Sequence, residues 1–208
     1  MNFLQFRQAL LPFEVFSTRD AGKLFPNLDA RRLFEWQRKG YIHKLINKWY
    51  LFSEVPVNEM LLYRISNCLC RPSYISLESA FSYYNLIPEG VYSQQAITTR
   101  KTISYRTPVG TFNYRSIKST LFFGYQVIRD NESPVLMAGI EKALLDYLYL
   151  SANVKTETDL EALRFDYPNL RDTMDWKKLE KYALVFESKT LNNKISKLKK
   201  LLQYANPA

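Results

Sequence analysis

Between residues 16 and 52 the chain reads FSTRDAGKLFPNLDARRLFEWQRKGYIHKLINKWYLF, a stretch that no single regular element can accommodate. Ser17 stands three residues before Asp20, the spacing at which a hydroxyl and a carboxylate each satisfy an N–H group at the opening of a helix, so a helix is predicted over residues 18–25. Pro26 and Asn27 interrupt it. Either Asn27 or Asp29 can cap a second helix, which runs to Lys39 and stops at Gly40, a residue that tolerates the left-handed conformation of a helix end. Within this second helix Leu33 and Trp36 share a face, while Arg31, Arg32, Glu35, Arg38 and Lys39 fall outside it. Two β-rich runs, residues 41–46 and 49–52, then flank the dipeptide Asn47-Lys48, the pattern of a hairpin. Helix, turn, helix and hairpin follow one another in the order of a winged helix-turn-helix.

The second helix of such a unit commonly enters the DNA major groove, its N-terminal half reaching base edges while neighbouring cations hold phosphates. The same unit also serves as a protein-docking module, with a charged helix face that is simply solvated. Charge favours the first reading. Residues 1–52 carry nine Lys/Arg against four Asp/Glu, residues 53–175 twelve against fourteen, and residues 176–208 eight against two. Two basic ends therefore flank a slightly acidic middle, a distribution that suits a polyanion at the ends.

A winged unit occupies only about the first fifty of 208 residues, so a second domain is expected. Pro56 lies between the hairpin and the next helix and suggests units of 1–54 and 55–208. With 47% hydrophobic and 15% aromatic residues, both can bury a core. No run of about 18 uncharged apolar residues is present, and the N-terminal stretch does not read as a signal peptide, so a cytoplasmic location is expected. Cys68 and Cys70 sit two apart on an expected helix and point in different directions, which suits small packing side chains better than a disulfide or a chelate.

Before the winged stretch, Phe3, Phe6 and Leu10 have helical spacing and predict a short packing helix ended by Pro12. Beyond it, a helix is expected from Asn58, with Ile65 and Leu69 inward, then a short extended piece at Tyr74-Ile75, then a helix capped by Ser76, whose Ser79 and Ala80 admit a close neighbour. A turn is expected over 85–90, three or four strands over 94–128, a break over 130–134 and a last short strand over 135–138. Thr102, Ser104, Arg106, Asn113, Arg115 and Ser116 alternate with apolar neighbours and predict one wet sheet face. A helix over 140–150 and three more follow, the last reaching residue 205 with Leu191, Ile195, Leu198 and Leu202 in a stripe and lysines around the rest. Its basic side either packs on the core or adds non-specific contact to nucleic acid. The fold class expected is α+β: an N-terminal winged helix-turn-helix and a C-terminal mixed α/β domain with a small, mainly antiparallel sheet flanked by helices.

Three segments carry a family resemblance. They are RRLFEWQRKGYIHKLINKWYLF over 31–52, then Arg71-Pro72-Ser73-Tyr74-Ile75-Ser76-Leu77-Glu78-Ser79-Ala80-Phe81 with Asn85-Leu86-Ile87-Pro88-Glu89, and Ala138-Gly139-Ile140-Glu141-Lys142-Ala143-Leu144-Leu145-Asp146. In this order, across nearly the whole chain, they resemble the AbiEi-type (abortive infection) antitoxins of type IV toxin–antitoxin systems. The resemblance implies a bacterial autorepressor that binds inverted repeats in its own promoter through the winged domain, and a C-terminal domain that supplies antitoxicity. The implied functional partner is a nucleotidyltransferase-like toxin, often counteracted without a stable complex. DNA contact is carried over to Arg31, Arg32, Lys44 and Lys48, and further to Thr18, Arg19 and Asn27.

No enzyme signature stands against this reading. His43 is the sole histidine and lies in the hairpin, and HExxH, Walker A, GxGxxG and paired CxxC motifs are absent, so no catalytic residue, metal or cofactor is expected. The best enzyme case is a metal-dependent nuclease using Glu141, Lys142 and Asp146, whereas the alternative to DNA binding is the protein-docking module. Glu141 and Lys142 are adjacent and Glu141 and Asp146 five apart, poor spacings for convergence on one helix, so Glu141 and Lys142 are expected on its exposed side.

Overall fold

The computed structural model describes residues 2–88, 90–130 and 133–204; Glu89 in the expected turn, residues 131–132 in the expected break and residue 205 at the expected helix end lie outside them. Helix α1 (Phe3–Leu10) opens on a reciprocal capping box between Asn2 and Gln5 and passes into a short 3-10 turn at Leu11–Phe13. Strand β1 (Val15–Ser17) leads into α2 (Thr18–Leu24), whose capping box pairs Ser17 with Asp20. Asp29, not Asn27, caps α3 (Ala30–Arg38) by accepting from the Arg31 N–H, and Gly40 follows at φ +73°. The hairpin is β2 (Ile42–Ile46) and β3 (Trp49–Phe52), with Lys48 in the left-handed region at its turn. Strand β1 pairs antiparallel with β3, giving a three-stranded sheet in the order β1-β3-β2.

These elements close on Phe6, Leu10, Phe16, Ala21, Leu33, Trp36, Ile42 and Phe52. Phe6 is the centre: its ring lies 4.6 Å from Trp36 and 5.4 Å, edge-on, from Phe16, so one aromatic side chain ties α1 to α3 and to β1.

The remainder runs α4 (Glu59–Leu69), β4 (Ser73–Ile75), α5 (Leu77–Tyr83), β5 (Ser93–Thr98), β6 (Ile103–Thr107), β7 (Gly110–Ser116), β8 (Tyr125–Asp130), β9 (Ser133–Ala138), α6 (Ile140–Leu150), α7 (Glu157–Glu161), α8 (Tyr167–Thr173), α9 (Trp176–Phe186) and α10 (Lys189–Tyr204). The fold is mixed α+β with two sheets, and the second is larger than the small sheet expected; three of its five pairings are antiparallel, as expected, and two are parallel. It has six strands in the order β6-β7-β5-β4-β9-β8, with β4 parallel to β9 and β5 parallel to β7. The short extended piece at Tyr74-Ile75 is thus one of the two central strands of this sheet, buried along its length. Helix α8 was not anticipated.

Polar residues of β6 and β7 keep the expected wet face, since Ser104, Arg106 and Arg115 are exposed. The lysines of α10 do not all lie outside. Lys194 is buried, its Nζ donating at 2.7 Å to the Leu148 and Ser151 carbonyls at the end of α6, a position where a cation meets the negative end of the helix. Lys197 binds the Lys155 carbonyl and Lys199 pairs with Glu180, so much of the basic side of α10 serves packing.

The two hydrophobic clusters meet through the three-stranded sheet. Val15, Leu45 and Leu51 belong to the larger cluster, and Ile46 and Trp49 pack against it. Beside them Arg64 of α4, only 7% exposed, reaches Glu14 at 2.8 Å, and Glu14 stands at φ +57°, where a residue other than glycine is strained. Arg64→Met is expected to cost about 2 kcal/mol in urea unfolding, less than the 3–5 kcal/mol of a fully buried half-pair because water reaches Glu14. Amide exchange should rise first in β1.

Candidate nucleic-acid interface

The seven residues carried over from the resemblance fall on two adjoining pieces of the N-terminal segment. The Thr18 N–H donates to the Lys48 carbonyl at 2.9 Å, so the opening of α2 and the tip of the hairpin touch, bringing Thr18, Arg19 and Lys48 together. Thr18 is half-buried, whereas Arg19 and Lys48 are exposed. Asn27 is exposed in the turn between α2 and α3. On α3, the Arg31 side chain is 89% exposed and lies 3.9 Å from Asp29, while Arg32 donates to Glu35 at 3.2 Å. Lys44 is exposed on β2, opposite Tyr50 and beside a register shift that turns Leu45 inward.

Local sequence explains the aim of these groups. Leu33 and Trp36 anchor α3 by one face, which leaves positions 31, 34, 35 and 38 pointing the other way. Phe34 shares that outward side and is 68% exposed, although it is large and apolar. The motif reading passed over it; the signal was its position three residues from Arg31 and four from Arg38, off the Leu33/Trp36 face. The hairpin is no free-standing arm. Its apolar side chains are buried or half-buried, and the Arg71 guanidinium lies 5.8 Å from the centre of the Trp49 ring, so the exposed residues of the strands and turn are His43, Lys44, Asn47 and Lys48.

The segment around Glu141 differs from expectation. Glu141 and Lys142 are not on an exposed side of α6: Glu141, Lys142 and Asp146 are all buried. Lys142 and Asp146, four apart, form an ion pair inside the protein. The Tyr74 hydroxyl donates to Asp146 Oδ2 at 2.9 Å and accepts from Lys142 Nζ at 2.9 Å, and Ser76 Oγ donates to Asp146 at 3.0 Å. Ser76 therefore does not cap α5 with its side chain, as its position in sequence suggested; its hydroxyl is committed to Asp146. The rings of Tyr74, Phe123 and Phe186 surround the ammonium, with centres 5.1–5.4 Å away. Burial, the largest influence on both groups, pushes the Asp146 carboxyl up and the Lys142 ammonium down, each opposed by the charge of the other. The Tyr74 hydroxyl is also raised, by burial first and the Asp146 charge second. Glu141 faces away from this pair: it accepts from Lys178 at 2.8 Å and from the Asp175 N–H at 3.1 Å, fastening α6 to the start of α9.

The signal for the buried pair was present in sequence, because Lys142 and Asp146 are i and i+4 on a helix whose other residues are almost all apolar. Both side chains are fully buried, with the Tyr74 and Ser76 hydroxyls as their hydrogen-bond partners among the described residues. Among the described residues, no three His, Cys, Asp or Glu side chains gather as a metal site requires. No described helix is long and apolar enough to cross a membrane. The chain matches no protein-family model and no curated protein.

Proposed function

We propose that the chain is a DNA-binding autorepressor and antitoxin: an N-terminal winged helix-turn-helix binds duplex DNA at its own promoter, and the rest of the chain counteracts a nucleotidyltransferase-like toxin. The observation that carries the DNA reading is α3, anchored by Leu33 and Trp36 and presenting Arg31, Arg32 and Arg38 to solvent. The three-stranded sheet and the exposed Lys44, Lys48 and Arg19 support phosphate contact beside it. Arg31 and Arg32 read or clamp DNA, Lys44 and Lys48 hold phosphate from the wing, and Thr18, Arg19 and Asn27 add contacts at the approach to α3. The antitoxin half of the reading rests on the resemblance of the three ordered segments to the AbiEi-type antitoxins.

Fluorescence anisotropy on the upstream DNA of its own gene, against scrambled DNA across a salt series, tests the proposal. Wild type should prefer the upstream duplex, and Arg31→Ala/Arg32→Ala/Lys48→Ala should lose that preference. If all three cations contact phosphate, the log–log salt slope should become shallower by about 2.7, at about 0.9 per lost contact. Equal, weak binding of both proteins to both duplexes would overturn the DNA reading and leave α3 as a protein-docking surface.

A further inference from the structure

The outward side of α3 has an internal order. Arg31, Phe34 and Arg38 are spaced i, i+3 and i+7 and so form one stripe along the helix, with an apolar ring between two guanidinium groups. All three are exposed, and Phe34 keeps 68% of its surface in water, while the opposite face of the same helix is already filled by Leu33 and Trp36. An exposed phenylalanine contributes little to the core and leaves apolar area hydrated. Its ring is available to a ligand that is itself partly apolar and otherwise anionic.

We infer that Phe34 reads a thymine methyl group in the major groove and that Arg31 and Arg38 read guanines on either side of it; this rests on the DNA-binding reading. The thymine C5-methyl is the apolar group on the major-groove base edges, and the O6 and N7 acceptors of guanine match a guanidinium bidentately. The spacing fits. Residues 31 and 38 lie about 10.5 Å apart along the axis at about 1.5 Å per residue, close to three base steps of about 3.4 Å. Phe34 sits about 4.5 Å from Arg31 on the same scale, a little over one step. Arg32 lies to the side of the stripe and is engaged by Glu35, so it holds backbone phosphate rather than a base.

The test selects duplexes from a pool with a randomised centre on the full chain, then replaces each thymine of the enriched sequence by deoxyuridine, one at a time, which removes only the methyl group. Wild type should lose about fourfold in affinity at one thymine lying within three base steps of guanine, the value of one buried methyl-sized group. Phe34→Ala should bind the thymine and uracil duplexes equally, at the level of wild type on the uracil duplex, and Phe34→Leu should restore part of the discrimination. If a sequence is enriched but wild type ignores every thymine-to-uracil change, or Phe34→Ala discriminates as wild type does, the inference falls while the DNA reading stands. If no sequence is enriched, both fall. The uracil arm changes the DNA alone, so it does not depend on any variant folding.

Discussion

Asp146→Ala is expected to lower the stability of the protein by about 3–5 kcal/mol, because it strands an ammonium inside the fold. Lys142 would retain the Tyr74 hydroxyl and three aromatic rings, and no carboxylate. The Tyr74 and Ser76 hydroxyls lose their acceptor in the same stroke. Against a total stability on the order of 5–15 kcal/mol, such a loss shifts a urea midpoint far enough to be read without extrapolation. The informative companion is Lys142→Met/Asp146→Leu, which removes both charges and keeps the volume apolar; it should unfold within about 1 kcal/mol of wild type or be more stable. A single variant as stable as wild type would show that Lys142 is held neutral, and the pair would then be a hydrogen-bonded contact rather than an ion pair.

Gly124→Ala should cost about 3 kcal/mol for two separable reasons. The residue has φ +72°, in the left-handed region, where an alanine is disfavoured by about 1–2 kcal/mol. A Cβ there would also meet the Tyr182 ring at 2.9 Å and the Lys142 Cβ and Cγ at 3.1 Å. Tyr182 cannot simply swing aside, since its ring packs edge-on against Phe123 at 5.0 Å. Overpacking of this kind adds about 1–3 kcal/mol, so thermal unfolding should move down by roughly 6–12 °C in a chain of this size. Replacement by Asn, which tolerates the same backbone but is larger still, separates the two contributions: if it is worse than Ala, space decides; if better, backbone does.

Elements with strong local signals were legible in the chain itself. The capping box at Ser17 and Asp20, the stop at Gly40 and the helix Ile140–Leu150 all depend on neighbours within a turn or two, and these appear as read. Strand β1 was missed because three residues carry no periodicity; it is defined only by pairing with β3, more than thirty positions away. Helix α8 was missed for a related reason, since its buried residue is Leu170 alone, although Asp166 as cap and Pro168 in the first turn do mark a helix opening. The six-stranded order was out of reach, because β5 beside β7 and β4 beside β9 are parallel pairs joined through crossovers, and nothing in local pattern sets such a register. The cations of the candidate interface were legible as residues. What was not legible was the burial of Glu141, which follows from α9 closing over α6 through Lys178 and the Asp175 N–H rather than from the sequence of α6 itself.

The three-stranded sheet that serves two cores bears on how such a chain can be recombined. Phe16, Ile42 and Phe52 look one way and Val15, Leu45 and Leu51 the other, so the hairpin is shared property. Cut after residue 54 and fused to a foreign effector, the N-terminal segment would carry a bare aliphatic strip on its sheet and a Glu14 without Arg64. An exchange of this N-terminal segment between proteins would have to move α4 with it, or supply a matching apolar face on the new host.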